Sequence, residues 1–336
     1  MSHAYIDQLE PAQFVQGAYA VQNCQVGQTK AGKPFLKMLL VDKTGRTPGR
    51  MWNVPEGLPD RLPTDGFVYL EGQTQPYQGE IQIIVQRIEP HEPTDRELVE
   101  LLPATKFDID TMFGEVLTLL NSLEHPAIGA LRDRYLEDAD LMGAFCKAPA
   151  AREVHHARIG GLLEHTRSLM LGAEALLPNY PGVSRDLVLF GLFLHDLGKC
   201  LELSWNTGFA YTADGELVGH IARGCTILRQ KVAACLDPEL GDAAIDVPEP
   251  ILLALEHILL SHHGQPEFGA LKLPATPEAV FVSCLDNLDA KMDLVLEAAN
   301  RKALGHGAPD RQGDFTQRIW ALNTRVYRPD PTAPAE

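Results

Sequence analysis

The chain changes its hydrophobic rhythm near residue 92. Before that point, apolar residues alternate with polar ones in short runs broken by Gly- and Pro-bearing turns. "AYAVQNCQV" reads as a first strand. "FLKMLLVD" reads as a second, with Phe35 and Lys37 on one face and Leu36 and Met38 on the other. "TPGRMWN", "GFVYLEGQTQ" and "IQIIVQRIEP" complete the set, and "KAGKP" and "KTGR" supply turns. About five short strands in about 75 residues predict a small closed barrel, with the OB-fold as its natural form. "HEPTDRE" (91–97) is polar and Pro-bearing and reads as a linker. From Ile109 the pattern is helical: "DIDTMFGEVLTLLNSL" opens on acidic residues and then spaces apolar ones at i, i+3, i+4. Further helices are expected at 126–146, 160–177, 185–198, 219–236, 250–262 and 277–303. "FAYTADGELV" is expected to be a hairpin with Asp214–Gly215 in its turn. The fold class is therefore multi-domain, a small all-β OB-fold barrel followed by an all-α domain. The expected divisions are an N-terminal segment 1–13, a barrel 14–92, a linker 93–108, a helical domain 109–329 and a disordered tail 330–336.

Composition narrows the setting. The 336 residues are 45% hydrophobic and 22% charged, as in an ordinary soluble protein. No apolar run is long enough for a membrane span. The N-terminus lacks a basic stretch followed by an apolar core, so no secretory signal is expected. Six scattered cysteines without CxxC spacing suit free thiols in the cytosol. The net charge of −16 argues against broad, non-specific nucleic-acid binding. Residues 1–94 carry 8 basic against 10 acidic residues, and the remainder 21 against 35, so the barrel is the less acidic part. Tyr19, Phe35, Trp52, Tyr69 and Tyr77 are its candidate base-stacking platforms, the alternative being barrel core.

The histidines carry the candidate chemistry. Eight of the twelve lie between His155 and His263. His165 falls on the apolar face of its helix, with Leu162 and Leu169 beside it. His195 and Asp196 end a nearly uninterrupted apolar segment in "LFLHDLGK", where an unpartnered carboxylate would be very costly. His220 follows the expected hairpin, His262 and His263 end "PILLALEHILLSHH", and Asp286 lies in "FVSCLDNLDAKMD". A lone inward histidine is usually a satisfied core residue. Repetition of the anomaly on several segments points instead to metal coordination. A donor set of imidazoles and carboxylates without thiolate suits Mn²⁺, Fe²⁺, Co²⁺ or Zn²⁺. Its size exceeds one tetrahedral ion, so two ions are expected, with Asp196 bridging. Such a pair serves phosphoryl chemistry.

"HHARIGGLLEHT", "LFLHDLGK", "YTADGELVGHI", "LSHHG", "DNLDAKMD" and "FTQRIWALNTRVYRP" occur in this order. The series resembles the HD-domain metal-dependent phosphohydrolases, and within them the YhaM-type 3′→5′ exoribonucleases, from about residue 14 to 329. The preceding barrel resembles the OB-fold that those proteins carry. The resemblance implies an HD-type helical domain, two divalent ions (Mn²⁺ first) and hydrolysis of single-stranded RNA, ssDNA or short oligonucleotides to nucleoside 5′-monophosphates. It implies one ion on His165, His195, Asp196 and Asp286, and a second on His220, His262 and His263 with Asp196 shared. Adjacent histidines on a helix point about 100° apart, so His262 ranks above His263, which is left to ligate or to contact phosphate. Lys199 is either a phosphate contact or a solvated helix-end lysine. Arg223, Lys291, Asp289, His155 and His156 match family motifs and are candidates for substrate contact or ligand support. His257 reads as structural. Two rival functions use the same sequence: a phosphohydrolase of small nucleotides, which would not need the barrel, and a non-catalytic RNA-binding protein, against which the intact donor set counts. A cyclic-dinucleotide phosphodiesterase ranks low, because "HHGQPEFG" lacks the GYP triplet of that subgroup.

Overall fold

Alternation along the N-terminal strands is what closes them into a barrel. The computed structural model describes all residues except 1–2, 30–31, 78–79, 153–154, 206–207, 238–243, 301–313, 317, 330–331 and 333–336. The strands are β1 (Phe14–Gln28), β2 (Pro34–Asp42), β3 (Gly45–Met51), β4 (Gly66–Tyr77) and β5 (Glu80–Pro90). Every second side chain points inward. Val15, Tyr19, Val21, Leu36, Met38, Leu40, Met51, Val68, Leu70, Ile83, Val85 and Ile88 thereby form one core. The order β1-β2-β3-β5-β4 closes through pairing of β1 with β4. β3 and β5 meet in parallel at Gly49↔Ile83 and Arg50↔Ile84. A closed five-stranded barrel in this non-sequential order is an OB-fold. Gly72 permits the closure, since a Cβ there would lie 2.6 Å from the Ile84 carbonyl oxygen.

The barrel sorts its aromatic residues. Tyr19 is fully buried and its hydroxyl donates to the Ala4 carbonyl at 2.5 Å, so the expected stacking role is corrected to a core role. Its place is fixed by strand parity, which sets it inward with Val15 and Val21. Phe35 is half-buried, Trp52 and Tyr77 are exposed, and the Phe35 and Trp52 rings lie 5.1 Å apart. The Arg50 guanidinium stands 5.8, 5.9 and 5.6 Å from the Phe35, Trp52 and Tyr77 rings.

Part of the expected linker is helical. Thr94 accepts from the Glu97 N–H while the Glu97 carboxylate accepts from the Thr94 N–H. This capping box starts α1 (Asp95–Leu101).

The chain forms two compact units, one of residues 1–104, 206–208 and 295–336, the other of residues 105–205 and 209–294. The second is helical: α2 (Ile109–Asn121), α3 (Pro126–Leu136), α4 (Ala139–Lys147), α5 (Gly161–Leu176), α6 (Arg185–Leu194), α7 (Lys199–Glu202), α8 (Ala213–Leu217), α9 (His220–Ala234) and α10 (Glu249–Ser261), with most of α11 (Pro277–Asn300). Here α6 is the central helix. Val188 to Leu194 are all buried, and α2, α3, α5 and α10 pack around it. A helix apolar on all sides belongs in a core. Gly191 allows the approach of α10, because a Cβ would lie 2.8 Å from Ile258 Cδ1. Among the described residues, no helix is long and apolar enough to cross a membrane.

Three local expectations change. The segment 126–146 breaks into α3 and α4 because Asp138 caps α4, accepting from the Leu141 N–H at 3.1 Å. The hairpin pairs β6 (Leu203–Ser204) with β7 (Ala210–Tyr211) and does not turn at Asp214–Gly215. Thr212 instead accepts from the Gly215 N–H and starts α8. The tail expected to be disordered lies, apart from Thr332, outside the described residues.

Asp138 also yields a pH prediction. Its hydrogen bond from Lys231 (2.7 Å), against the opposing effect of burial and with help from the Leu141 N–H, holds its carboxyl below the usual range. A lowered folded pKa stabilises the fold above the unfolded pKa and ceases to do so as pH falls through the folded one. Asp138→Ala is expected to cost about 1 kcal/mol at neutral pH. In paired urea unfolding curves, the gap from wild type narrows below about pH 4. A gap that does not change with pH would contradict this.

Candidate metal centre

Five chain segments bring their imidazoles and carboxylates to one place. His165 lies in the second turn of α5 and is fully buried. α6 ends at Leu194, earlier than its apolar pattern predicts, so that His195 caps it and Asp196 falls in the following turn, both buried. His220 is the first residue of α9. His262 caps α10, and His263 follows outside the helix before Gly264, whose φ is 75°. Asp286 lies on α11.

Two donor sets result. In the first, His165 Nε2 lies 3.3 Å from His195 Nε2 and 3.2 Å from Asp286 Oδ1. Asp196 Oδ2 lies 3.8 and 3.4 Å from the same two imidazole nitrogens. In the second, the other oxygen, Asp196 Oδ1, lies 3.6 Å from His220 Nε2 and 3.5 Å from His262 Nε2. His263 Nε2 is 3.2 Å from His220 Nε2. Metal–donor bonds of about 2.0–2.2 Å place tetrahedral donors roughly 3.3–3.6 Å apart. The observed spacings cluster around this range, the widest being His165 Nε2 to Asp196 Oδ2 at 3.8 Å and His195 Nε2 to Asp286 Oδ1 at 4.0 Å.

Hydrogen bonds fix the lone pairs. His195 Nδ1 faces the Leu192 carbonyl at 2.7 Å, His262 Nδ1 the Leu259 carbonyl at 2.8 Å and His263 Nδ1 the Phe268 carbonyl at 2.5 Å. A carbonyl only accepts, so each Nδ1 carries a proton and each ring turns its Nε2 inward. His165 Nδ1 donates to Asp289 Oδ2 at 2.7 Å, and His220 Nδ1 to Glu202 Oε1 at 3.0 Å. Of these donors' buried side-chain atoms, two then remain without hydrogen-bond partners among the described residues, Asp196 Oδ1 and His262 Nε2. Both belong to the second set. Buried polar atoms are rarely left so, and a divalent cation would satisfy both. The residues fit metal ions.

Electrostatics agree. Burial would raise the Asp196 carboxyl, but Lys199 and His195 hold it well below the usual range. Burial pushes His262 down to about 3 and also lowers His263, leaving both neutral. Burial likewise pushes His155 down to about 3. His165 goes the other way: Asp286 and Asp289 overcome its burial and push it up to about 10.

The remaining predicted residues have definite places. Lys199 is buried, its ammonium 2.7 Å from Asp196 Oδ2, so it is neither solvated nor extended toward substrate. Arg223 is paired with Asp214 at 2.8 Å. Lys291 is exposed. His156 is buried, with Nε2 on Asp289 and Nδ1 beside Arg158, so the expected substrate contact is corrected to a supporting role. His257 Nε2 accepts from the Ala275 N–H. Asp289 orients His165 and also accepts from Ser168. Glu202, which no sequence pattern singled out, takes both the backbone and ring N–H of His220, each at 3.0 Å.

Comparison with known families agrees with this geometry. Residues 162–291 match the HD domain. All seven donors lie within the matched span. An HD domain implies divalent metal binding and supports a metal-dependent phosphohydrolase. Among solved structures, the chain is similar to the second OB-fold domain of replication protein A from Methanococcus maripaludis. The identity is 20%, over 28% of this chain and 98% of that one, with a TM-score of 0.21. It is also similar to a replication protein A heterotrimer bound to ssDNA, at 15% identity over 28% of this chain and 69% of that one, with a TM-score of 0.21.

Asp289→Asn tests the orienting hydrogen bonds of the HD domain. The amide weakens the hold on His165, and metal affinity is expected to fall about 10–100-fold. Titration of metal-free protein with Mn²⁺ measures it, and unchanged affinity would show that Asp289 serves packing alone.

Proposed function

We propose that this protein is a metal-dependent exonuclease that shortens single-stranded RNA from its 3′ end, releasing nucleoside 5′-monophosphates. The observation that carries the proposal is the pair of donor sets joined by the two oxygens of Asp196. Two divalent ions held there, Mn²⁺ being our first choice, would offset phosphate charge and activate water for in-line displacement. His165, His195, Asp196 and Asp286 would hold one, and His220, His262, His263 and Asp196 the other. The chain's own contribution is orientation. Main-chain carbonyls, Asp289 and Glu202 fix every imidazole, and Lys199 compensates the Asp196 charge.

The barrel supports a polymeric substrate over a free nucleotide. Phe35, Trp52 and Tyr77 around Arg50 combine stacking surfaces with a cation, the chemistry that single strands require. ssDNA offers the same bases and remains a second polymer substrate. The six cysteines are free, as suits a cytosolic setting.

The test is 5′-labelled single-stranded RNA incubated with Mn²⁺. A ladder of 3′-shortened products is expected, absent from a His195→Ala/Asp196→Ala protein. No ladder, or one that survives the double substitution, would falsify the proposal. Faster hydrolysis of free nucleotides than of oligomers would favour the small-nucleotide phosphohydrolase. Trp52→Ala combined with Phe35→Ala should weaken RNA binding by about 2–6 kcal/mol, from about 1–3 for each stacked base. Fluorescence anisotropy with a labelled oligonucleotide checks this, and unaltered affinity would remove the barrel face from the scheme.

A further inference from the structure

The loop between α4 and α5 carries two adjacent histidines that the structure treats in opposite ways. His156 has a φ of 48°, in the left-handed region that a non-glycine residue enters at a cost. It is held there from every side. Its N–H donates to Asp293 Oδ2 at 2.7 Å, and its ring lies between Asp289 and Arg158. Its carbonyl accepts from the N–H groups of Ala150 at 3.1 Å and Arg158 at 2.8 Å. Gly161 leaves room for that carbonyl, since a Cβ there would lie 2.0 Å from its oxygen. Such over-determined strain gathers at functional sites.

The consequence falls on His155. Its ring lies 5.9 Å from that of His165, and the charges of Lys199, His165, Asp286 and Asp196 act on it. It is half-buried and, among the described residues, makes no hydrogen bond. Every donor imidazole has its Nδ1 engaged, and His156 has both nitrogens engaged. His155 alone among the histidines gathered here has neither. A half-buried imidazole with a free donor and a free acceptor, on a loop strained to present it, is suited to a ligand.

We propose that His155 is a catalytic residue that hydrogen-bonds the substrate phosphate. Its ring N–H donates to a non-bridging phosphate oxygen beside the set of His165, His195, Asp196 and Asp286. The inference rests on the phosphodiester reading above and extends it, giving the first of the two adjacent histidines the substrate role. It concerns binding, so its test needs no turnover.

Full-length protein loaded with Mn²⁺ is titrated calorimetrically with inorganic phosphate, as wild type, His155→Ala and His155→Gln. A hydrogen bond to a charged group predicts phosphate binding weaker by about tenfold or more in His155→Ala. His155→Gln, which keeps an N–H donor, should recover part of it. Metal content and thermal midpoint should match wild type in both. Phosphate affinity within twofold of wild type in His155→Ala overturns the inference. So does an affinity loss accompanied by loss of metal, and so does a loaded wild type that binds no phosphate. Absence of an RNA ladder with these phosphate results intact would sink the exonuclease reading alone.

Discussion

Asp196→Asn is expected to leave both candidate donor sets unable to hold metal, and to lower metal-dependent phosphohydrolase activity on the order of 10³-fold or more. The two oxygens of this carboxylate face different sets: Oδ2 faces His165 and His195, and Oδ1 faces His220 and His262. An amide removes the charge and turns an N–H toward one set. One complication is predictable. Lys199 is buried with its ammonium on Asp196 Oδ2, and breaking a buried pair by removing one partner costs about 3–5 kcal/mol. The single variant can therefore lose metal by unfolding. Asp196→Asn combined with Lys199→Met removes the stranded charge and separates the effects. The double variant should regain most of the stability without regaining metal. Metal analysis after dialysis, alongside thermal unfolding, reads both quantities. Wild-type metal content in the folded double variant would end the bridging role of Asp196.

Gly198→Ala should affect one donor set and spare the other. Gly198 has φ −59° and ψ −21°, a conformation alanine adopts freely. What forbids alanine is proximity, since its Cβ would lie 2.0 Å from the His220 carbonyl oxygen and 2.8 Å from its Cα. Those atoms begin α9, so relief requires moving the backbone that carries a ligand. Expected results are a stability loss of about 1–3 kcal/mol and metal affinity weaker by about 10–100-fold at the His220 set alone. A two-phase Mn²⁺ titration should retain its phase from the His165 set. Gly143→Ala is the matched control, because a Cβ there meets nothing within 4 Å. Equal weakening of both phases, or of neither, would show that the close approach does not position His220.

Several of the candidate donors stood out in the sequence because they violate a local rule. His165 interrupts an apolar face, and Asp196 puts a carboxylate at the end of a buried helix. The barrel was legible through strand parity and turns. Parity also decides Tyr19, but assigning a face needs the register of every strand, and a single chain does not supply it. Glu202 and Gly198 were not legible. Their importance comes from α9 arriving beside α7, a tertiary fact that leaves no periodic trace. His262 and His263 both face the second set although α10 ends before them, at Ser261. Asp214–Gly215 misled because Thr212 captured the Gly215 N–H for a helix cap, which competed with the expected turn.

The anchoring of His195 and His262 has a further consequence. Each ring is tied to the carbonyl three residues earlier on its own helix, Leu192 and Leu259. The aim of these lone pairs is thus set during folding by backbone that is there in any case. Little reorganisation then remains for the arriving ion. Donors fixed in this way would hold a spacing that the fold determines. Such a set would favour cations whose radius suits that spacing, so the fold itself would take part in choosing among them.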